Sequence, residues 1–246
     1  LNTAKSITNS DYSIAVMSGN FTQRGDISIV DKWSKAQMAI ENGIDLVIEL
    51  PTVYAISSAE NFAYGAIKIL DSLGIVDFIA FGSECSDISI LQQVTDVLAS
   101  EPPEYKTLLS HELDKGVSFP KARERALMMY LNDVRRFANV LSSSNNILGI
   151  EYLKALKRQK SIIQPITIKR EGNNYNDNTI PTDSQFAIAT AIRKLCASHN
   201  SDILQRFMPE ASYKILNDAM ENGNIVKDIS DFDEIIIYTL RKMSTD

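Results

Sequence analysis

Asp45-Leu46-Val47-Ile48-Glu49-Leu50-Pro51 is the stretch that decides the fold. It is a short apolar run, too brief for a helix, stopped by a proline that cannot continue a central ladder, and so reads as a buried strand. Upstream, Ser13 to Met17 is a second such run, ending at Ser18-Gly19-Asn20. Between the two, the pattern predicts a helix from about Lys32 to Asn42, with Asp31 as N-cap and Gly43 as stop. Downstream, Ser57 or Ser58 caps a helix that runs to Leu73, with Glu60 in its first turn and Gly74 ending it. Phe78 to Phe81 is the third strand, and it empties into Gly82-Ser83-Glu84. Strand, loop and helix, recurring about every 30 residues, are the signature of right-handed βαβ units on a parallel sheet. The fold class is therefore α/β, a Rossmann-like parallel sheet with a helical C-terminal extension. Ligands of such sheets bind beyond the carboxyl ends of the strands, so the three loops are expected to converge on one crevice.

Further out, Leu1 to Ile7 reads as the tail of a helix, and sequence preceding it is expected. Residues 88–141 are helical in pattern and form an insertion, broken at Pro102-Pro103 and from Gly116 to Pro120. Ser142 to Asn146 is a polar loop before a helix from Ile150 to Lys160, and Ile162 to Lys169 is a further strand. Glu171 to Ser184 reads as a mobile loop, and a helix beginning near Thr190 carries Arg193. Helices near Glu210 to Glu221 and Asp231 to Lys242 open a helical domain. Two domains follow, residues 1–200 and 201–246.

With 44% hydrophobic residues the chain can bury a sizeable core without staples. Two cysteines, Cys85 and Cys196, and two histidines, His111 and His199, have no metal-like spacing, so no metal site is expected. No run approaches the roughly 20 apolar residues that span a bilayer, and the expected protein is cytoplasmic, without a membrane. A net charge of −6 argues against non-specific coating of nucleic acid, so RNA contact would need a local patch. Candidates are Arg123, Arg125, Arg135 and Arg136, and Lys154, Lys157, Arg158 and Lys160, with a solvated helix face as the competing reading.

The loop Ser18-Gly19-Asn20-Phe21-Thr22-Gln23-Arg24-Gly25 combines close backbone approach, amide and hydroxyl donors and a cation, which suits an anion. Arg24 as a surface ion-pair residue is the alternative. Gly82 lets a flat ring or phosphate lie against the backbone, or makes a simple turn. Asn145 and Asn146 precede a helix; capping explains one, and two carboxamides could read a purine edge. Thr190 and Arg193 put a hydroxyl and a cation one turn apart at a helix start, so both can reach one phosphate. Arg170, at a strand end, is a second cation of that kind, and the two would stabilise charge building on a leaving pyrophosphate. No nucleophile, histidine and carboxylate set can be assembled, which leaves electrostatic positioning as the mechanism. Trp33 and Met38 are expected in the core.

Met17-Ser18-Gly19-Asn20-Phe21 with Gln23-Arg24-Gly25, then Asp45 to Pro51, Phe81-Gly82-Ser83-Glu84 and Asn145-Asn146-Ile147-Leu148-Gly149 resemble, in order, the bacterial tRNA(Met) cytidine acetate ligase family. The resemblance implies a HIGH-type nucleotidyltransferase domain that uses ATP, with Mg²⁺, to activate acetate and acetylate the wobble cytidine of elongator tRNA(Met). The oligomeric state stays open, with a homodimer as one candidate. It implies that Gly82, Asn145, Asn146, Arg170 and Glu171 contact the nucleotide, and that Thr190 and Arg193 occupy the phosphate-binding Ser/Thr-x-x-Arg position. The family's HxGH motif lies upstream of the segment matching Leu1 to Ile7 and is not in this sequence. Two other readings stay open: transfer of AMP to a small phosphorylated metabolite, and a non-catalytic RNA-binding protein.

Overall fold

The computed structural model describes residues 1–138, 140–169, 192–193, 195–196, 204–226 and 229–243. The chain divides into two compact units, one of residues 1, 10–56 and 171–246, the other of 2–9 and 57–170.

In the first unit, β1 (Ile14–Ser18) and β2 (Leu46–Leu50) pair in parallel, in a register that runs from Ile14 opposite Leu46 to Ser18 opposite Leu50. The carboxylate of Asp45 pins the start of the pair by accepting from the backbone N–H and the hydroxyl of Ser13, both at 2.8 Å. The crossover is α2 (Lys32–Glu41), where Asp31 caps the first turn by accepting from the Ser34 N–H at 2.7 Å. α3 (Thr52–Ala55) follows β2 directly. A core of Val30, Leu195, Cys196, Leu204 and Leu216 gathers Met38 and Tyr213 around it, and joins α2 to α10 (Glu210–Glu221). Trp33, expected in that core, is instead 75% exposed. Five residues separate it from Met38, so at about 100° per residue the two point to different faces of α2. A 3₁₀ turn (Ile229–Phe232) and α11 (Asp233–Lys242) complete the described part of this unit.

The second unit holds α1 (Asn2–Thr8), α4 (Ala59–Leu73), β3 (Phe78–Ser83), α5 (Ile88–Ser100), α6 (Pro103–Asp114), α7 (Phe119–Tyr130), α8 (Val134–Phe137), α9 (Ser144–Gln159) and β4 (Gln164–Lys169). Ser58 caps α4 through its hydroxyl, and Gly74 ends it at φ 66°, a left-handed position that suits glycine. β3 and β4 pair in parallel from Phe78 opposite Gln164 to Ser83 opposite Lys169. α9 packs against α4, α5 and β3. Its Gly149 sits so close that a Cβ would fall 2.6 Å from Cε2 of Phe81. In the α6–α7 hairpin the buried carboxylate of Glu112 accepts from Lys115 and, at 3.2 Å, from Arg125. Those bonds hold it below the usual carboxylate range, Lys115 foremost.

Among the described residues the strands pair as β1–β2 in one unit and β3–β4 in the other. The α/β class and the parallel pairing agree with the sequence reading, but two of its details do not. The third strand runs on through Gly82 and Ser83, because Ile168 and Lys169 of β4 extend the ladder past Phe81. α9 begins at Ser144, which places Asn145 and Asn146 in its first turn and not in a preceding loop.

Candidate functional site

The end of β3 is fixed from below. The buried Ser83 hydroxyl lies 2.6 Å from that of Thr167 and accepts from the Ser86 N–H at 2.9 Å. Gly82, one residue earlier, is exposed, and the atom nearest to a Cβ built on it is the Ile168 carbonyl oxygen, 4.0 Å away. That leaves a bare backbone on which a flat ring can lie.

Beyond Ser83 the chain meets the start of α9. The Glu84 carboxylate accepts from the Asn145 N–H at 3.3 Å, the Asn145 side-chain amide at 2.7 Å and the Asn146 N–H at 2.9 Å. An anion there satisfies first-turn donors and opposes the helix dipole. In return Oδ1 of Asn146, a residue 2% exposed, accepts from the N–H groups of Glu84 at 2.9 Å and Cys85 at 3.1 Å. Oδ1 of Asn146 is thus committed to the β3–α5 loop, and its effect on a bound base would pass through that loop. Behind them, burial pushes the Tyr152 phenol up to about 12; its ring lies 5.5 Å from that of Phe81.

In the other unit the β1 loop folds on itself. Phe21 bridges Ile27, the Gly25 N–H donates to Thr22 at 3.0 Å, and the Ser28 N–H donates to Asn20 at 2.8 Å. Arg24 rides exposed at the tip, next to Gly25 at φ 85°. Oδ1 of Asn20 accepts from the Lys32 N–H at 2.9 Å, which ties the loop to the start of α2. Lys35 donates to the carbonyls of Ser18 at 2.7 Å and Gly19 at 2.9 Å and to the Ser28 hydroxyl at 3.1 Å. Arg193 donates to the Ile27 carbonyl at 3.0 Å, and its charge is felt at Lys35. A Cβ on Gly19 would meet Oε1 of Glu49 at 2.1 Å; that carboxylate pairs with Lys32 at 2.7 Å.

Of the expected site residues, Ser18, Gly19, Arg24 and Arg193 fall on this one loop system, while Gly82, Asn145 and Asn146 share the end of β3. Arg170, Glu171 and Thr190 lie outside the described residues. Sequence reasoning gave no role to Lys35, Lys32 or Glu84. Lys32 and Lys35, three apart on the helix that follows β1, share a helix face and were the available signal. Four residues of the basic patches lie in ion pairs: Lys154 with Glu151, Lys157 with Asp96, Arg125 with Glu112 and, at 3.9 Å, Arg158 with Glu60. A cavity of about 570 Å³ lined by Tyr64, Lys106, Glu151 and Arg158 lies in the same unit as β3, lined by α4, α5, α6 and α9 and by none of the β3-end residues.

A family model described as HIGH Nucleotidyl Transferase matches residues 1–246. The chain is 50% identical over 235 residues to a tRNA(Met) cytidine acetate ligase of Caldanaerobacter subterraneus subsp. tengcongensis, covering 96% of this chain and 58% of that relative. It is 46% identical over 248 residues to one of Acetivibrio thermocellus, covering 99% and 59%. The chain therefore spans a little under three fifths of these relatives' length. Among solved structures, Thermotoga maritima TmcAL bound with alpha-thio ATP matches at a TM-score of 0.82 and 39% identity, over 91% of this chain and 52% of that one. The apo form matches at 0.85 and 39% identity, over 91% and 53%.

Proposed function

The chain belongs to the HIGH nucleotidyl transferase family, and from that premise we propose that the protein is an ATP-dependent ligase that acetylates N4 of the wobble cytidine of elongator tRNA(Met). The observation that carries the reading is likeness, along nearly the whole chain, to relatives named tRNA(Met) cytidine acetate ligase.

An acetate oxygen would attack the α-phosphorus of ATP, breaking its bond to pyrophosphate and leaving acetyl-adenylate. The cytidine N4 would then attack the acyl carbon, AMP would leave, and N4 would lose a proton. Nothing in this sequence of steps needs a covalent enzyme intermediate; orientation and charge stabilisation suffice. At the end of β3, Gly82 offers its bare backbone to the nucleotide, and the Glu84–Asn146 interlock keeps that backbone in place. Asn145, Arg170 and Glu171 are the further nucleotide contacts that the family likeness suggests. By family likeness, Ser18, Gly19, Arg24, Thr190 and Arg193 would serve the phosphates, Arg193 meeting the charge that grows on pyrophosphate. Among the described residues no group of three or more His, Cys, Asp or Glu could hold a metal. Mg²⁺ accompanying the ATP would offset phosphate charge.

The test is pyrophosphate release from ATP by the purified protein, with and without acetate, followed by mass spectrometry of the tRNA. Acetate-dependent release and an acetylated cytidine are expected. Release that ignores acetate would rule the ligase out. Arg193→Ala should lower the acetate-dependent rate by about 10²–10³-fold, the usual loss for a donor aimed at developing negative charge.

A further inference from the structure

We propose that Lys35 is a positioning residue for the phosphates of the nucleotide, shaping the β1 loop into an anion-receiving turn and adding its charge to that of Arg193. The assignment rests on the ATP-dependent reading above. A lysine ammonium has three donors, and here each finds an acceptor: the Ser18 carbonyl, the Gly19 carbonyl and the Ser28 hydroxyl. The same Ser28 hydroxyl donates to the Gly19 carbonyl at 3.2 Å, a second tie on that peptide. In a trans peptide the C=O and the next N–H point in opposite directions. Drawing both carbonyls onto Lys35 therefore turns the N–H groups of Gly19 and Asn20 away from it, as two successive donors of the kind that form backbone anion nests.

Charge points the same way. Among the described residues the charged groups around Lys35 are Arg193, Glu49 and Lys32, and Lys32 is already bonded to Glu49. On α10, the helix packed against α2, Glu210 and Lys214 neutralise each other at 2.7 Å. Burial foremost, and then the Arg193 charge, push the Lys35 ammonium below the ordinary lysine range, against a smaller upward pull from Glu49. An arriving polyanion would relieve both cations.

The experiment is equilibrium binding of ATP to the wild-type protein, Lys35→Met and Lys35→Arg, each first checked for folding by thermal unfolding. Methionine keeps the apolar stem and removes the charge. We expect folded Lys35→Met to bind ATP about tenfold or more weakly, the scale of a lost charge-assisted bond. Wild-type affinity should fall as pH rises through the lowered lysine range. Lys35→Arg, which stays charged, should not show that fall. Folded Lys35→Met binding within about twofold of wild type, roughly 0.4 kcal/mol, overturns the assignment. So does a Lys35→Arg profile that falls like the wild type, a comparison that decides alone should Lys35→Met not fold. Folded wild-type protein that binds no ATP overturns the functional reading itself, and the role of Lys35 with it.

Discussion

Glu84 and Asn146 hold each other's backbone: Oδ1 of Asn146 accepts the N–H of Glu84, and Oε2 of Glu84 accepts the N–H of Asn146, both at 2.9 Å. The exchange joins the end of β3 to the first turn of α9 across 62 residues of chain. Asn146→Ala leaves the half-buried N–H groups of Glu84 and Cys85 without their acceptor. A loss of about 1–3 kcal/mol is expected, read as a lower urea midpoint at unchanged slope. Combined with Glu84→Gln, a double-mutant cycle should give a coupling above about 0.5 kcal/mol; strict additivity would mean the two residues act separately.

Gly149→Ala pushes a methyl group against the Phe81 ring, 2.6 Å from Cε2, in the seam where α9 lies on β3. Overpacking of this kind typically costs about 1–3 kcal/mol. Phe81→Leu should recover part of it in the double variant, and chemical denaturation of the four proteins checks this.

Gly19→Ala separates site from stability. The new Cβ displaces the Glu49 carboxylate, whose partner is Lys32, in a pair that is about two fifths exposed on each side. Such pairs contribute about 0–1 kcal/mol, so the unfolding midpoint should barely move. Acetate-dependent pyrophosphate release should drop about tenfold or more, since a methyl group would then stand on backbone that the phosphates approach closely. A large fall in the midpoint with activity per folded molecule intact would contradict this.

Tyr152 makes stability depend on pH at the alkaline end. Burial raises its phenol to about 12 in the folded protein, against about 10 in an unfolded chain. Between those values the unfolded state has released a proton that the folded state keeps. The stabilisation is fully present below about pH 10 and is lost progressively as pH rises towards 12. Tyr152→Phe cannot titrate, so its urea midpoint should decline less than the wild type over this window.

Much of the framework was legible because its signals are local. Asp31 and Ser58 cap α2 and α4 from one residue before each helix, and Gly74 stops α4 in a left-handed turn, as read from the sequence. The start of α9 was misplaced for the opposite reason. Ser143 sits at its N-cap but does not cap the helix through its side chain; donors of the first turn are satisfied by Glu84, some 60 residues earlier. Trp33 was misjudged because apolar character does not say which face of α2 is covered.

The sequence by itself determined the βαβ rhythm, the caps and stops, and the ordered motifs that carry the family likeness, since each depends on neighbours along the chain. Only the tertiary structure decided which groups meet. Glu84 finds α9, Lys35 finds the carbonyls of Ser18 and Gly19, and β3 takes β4 as its partner across 81 residues from Ser83 to Gln164. Such bonds form when distant segments are brought within about 3 Å by packing, and no spacing rule along the chain encodes that.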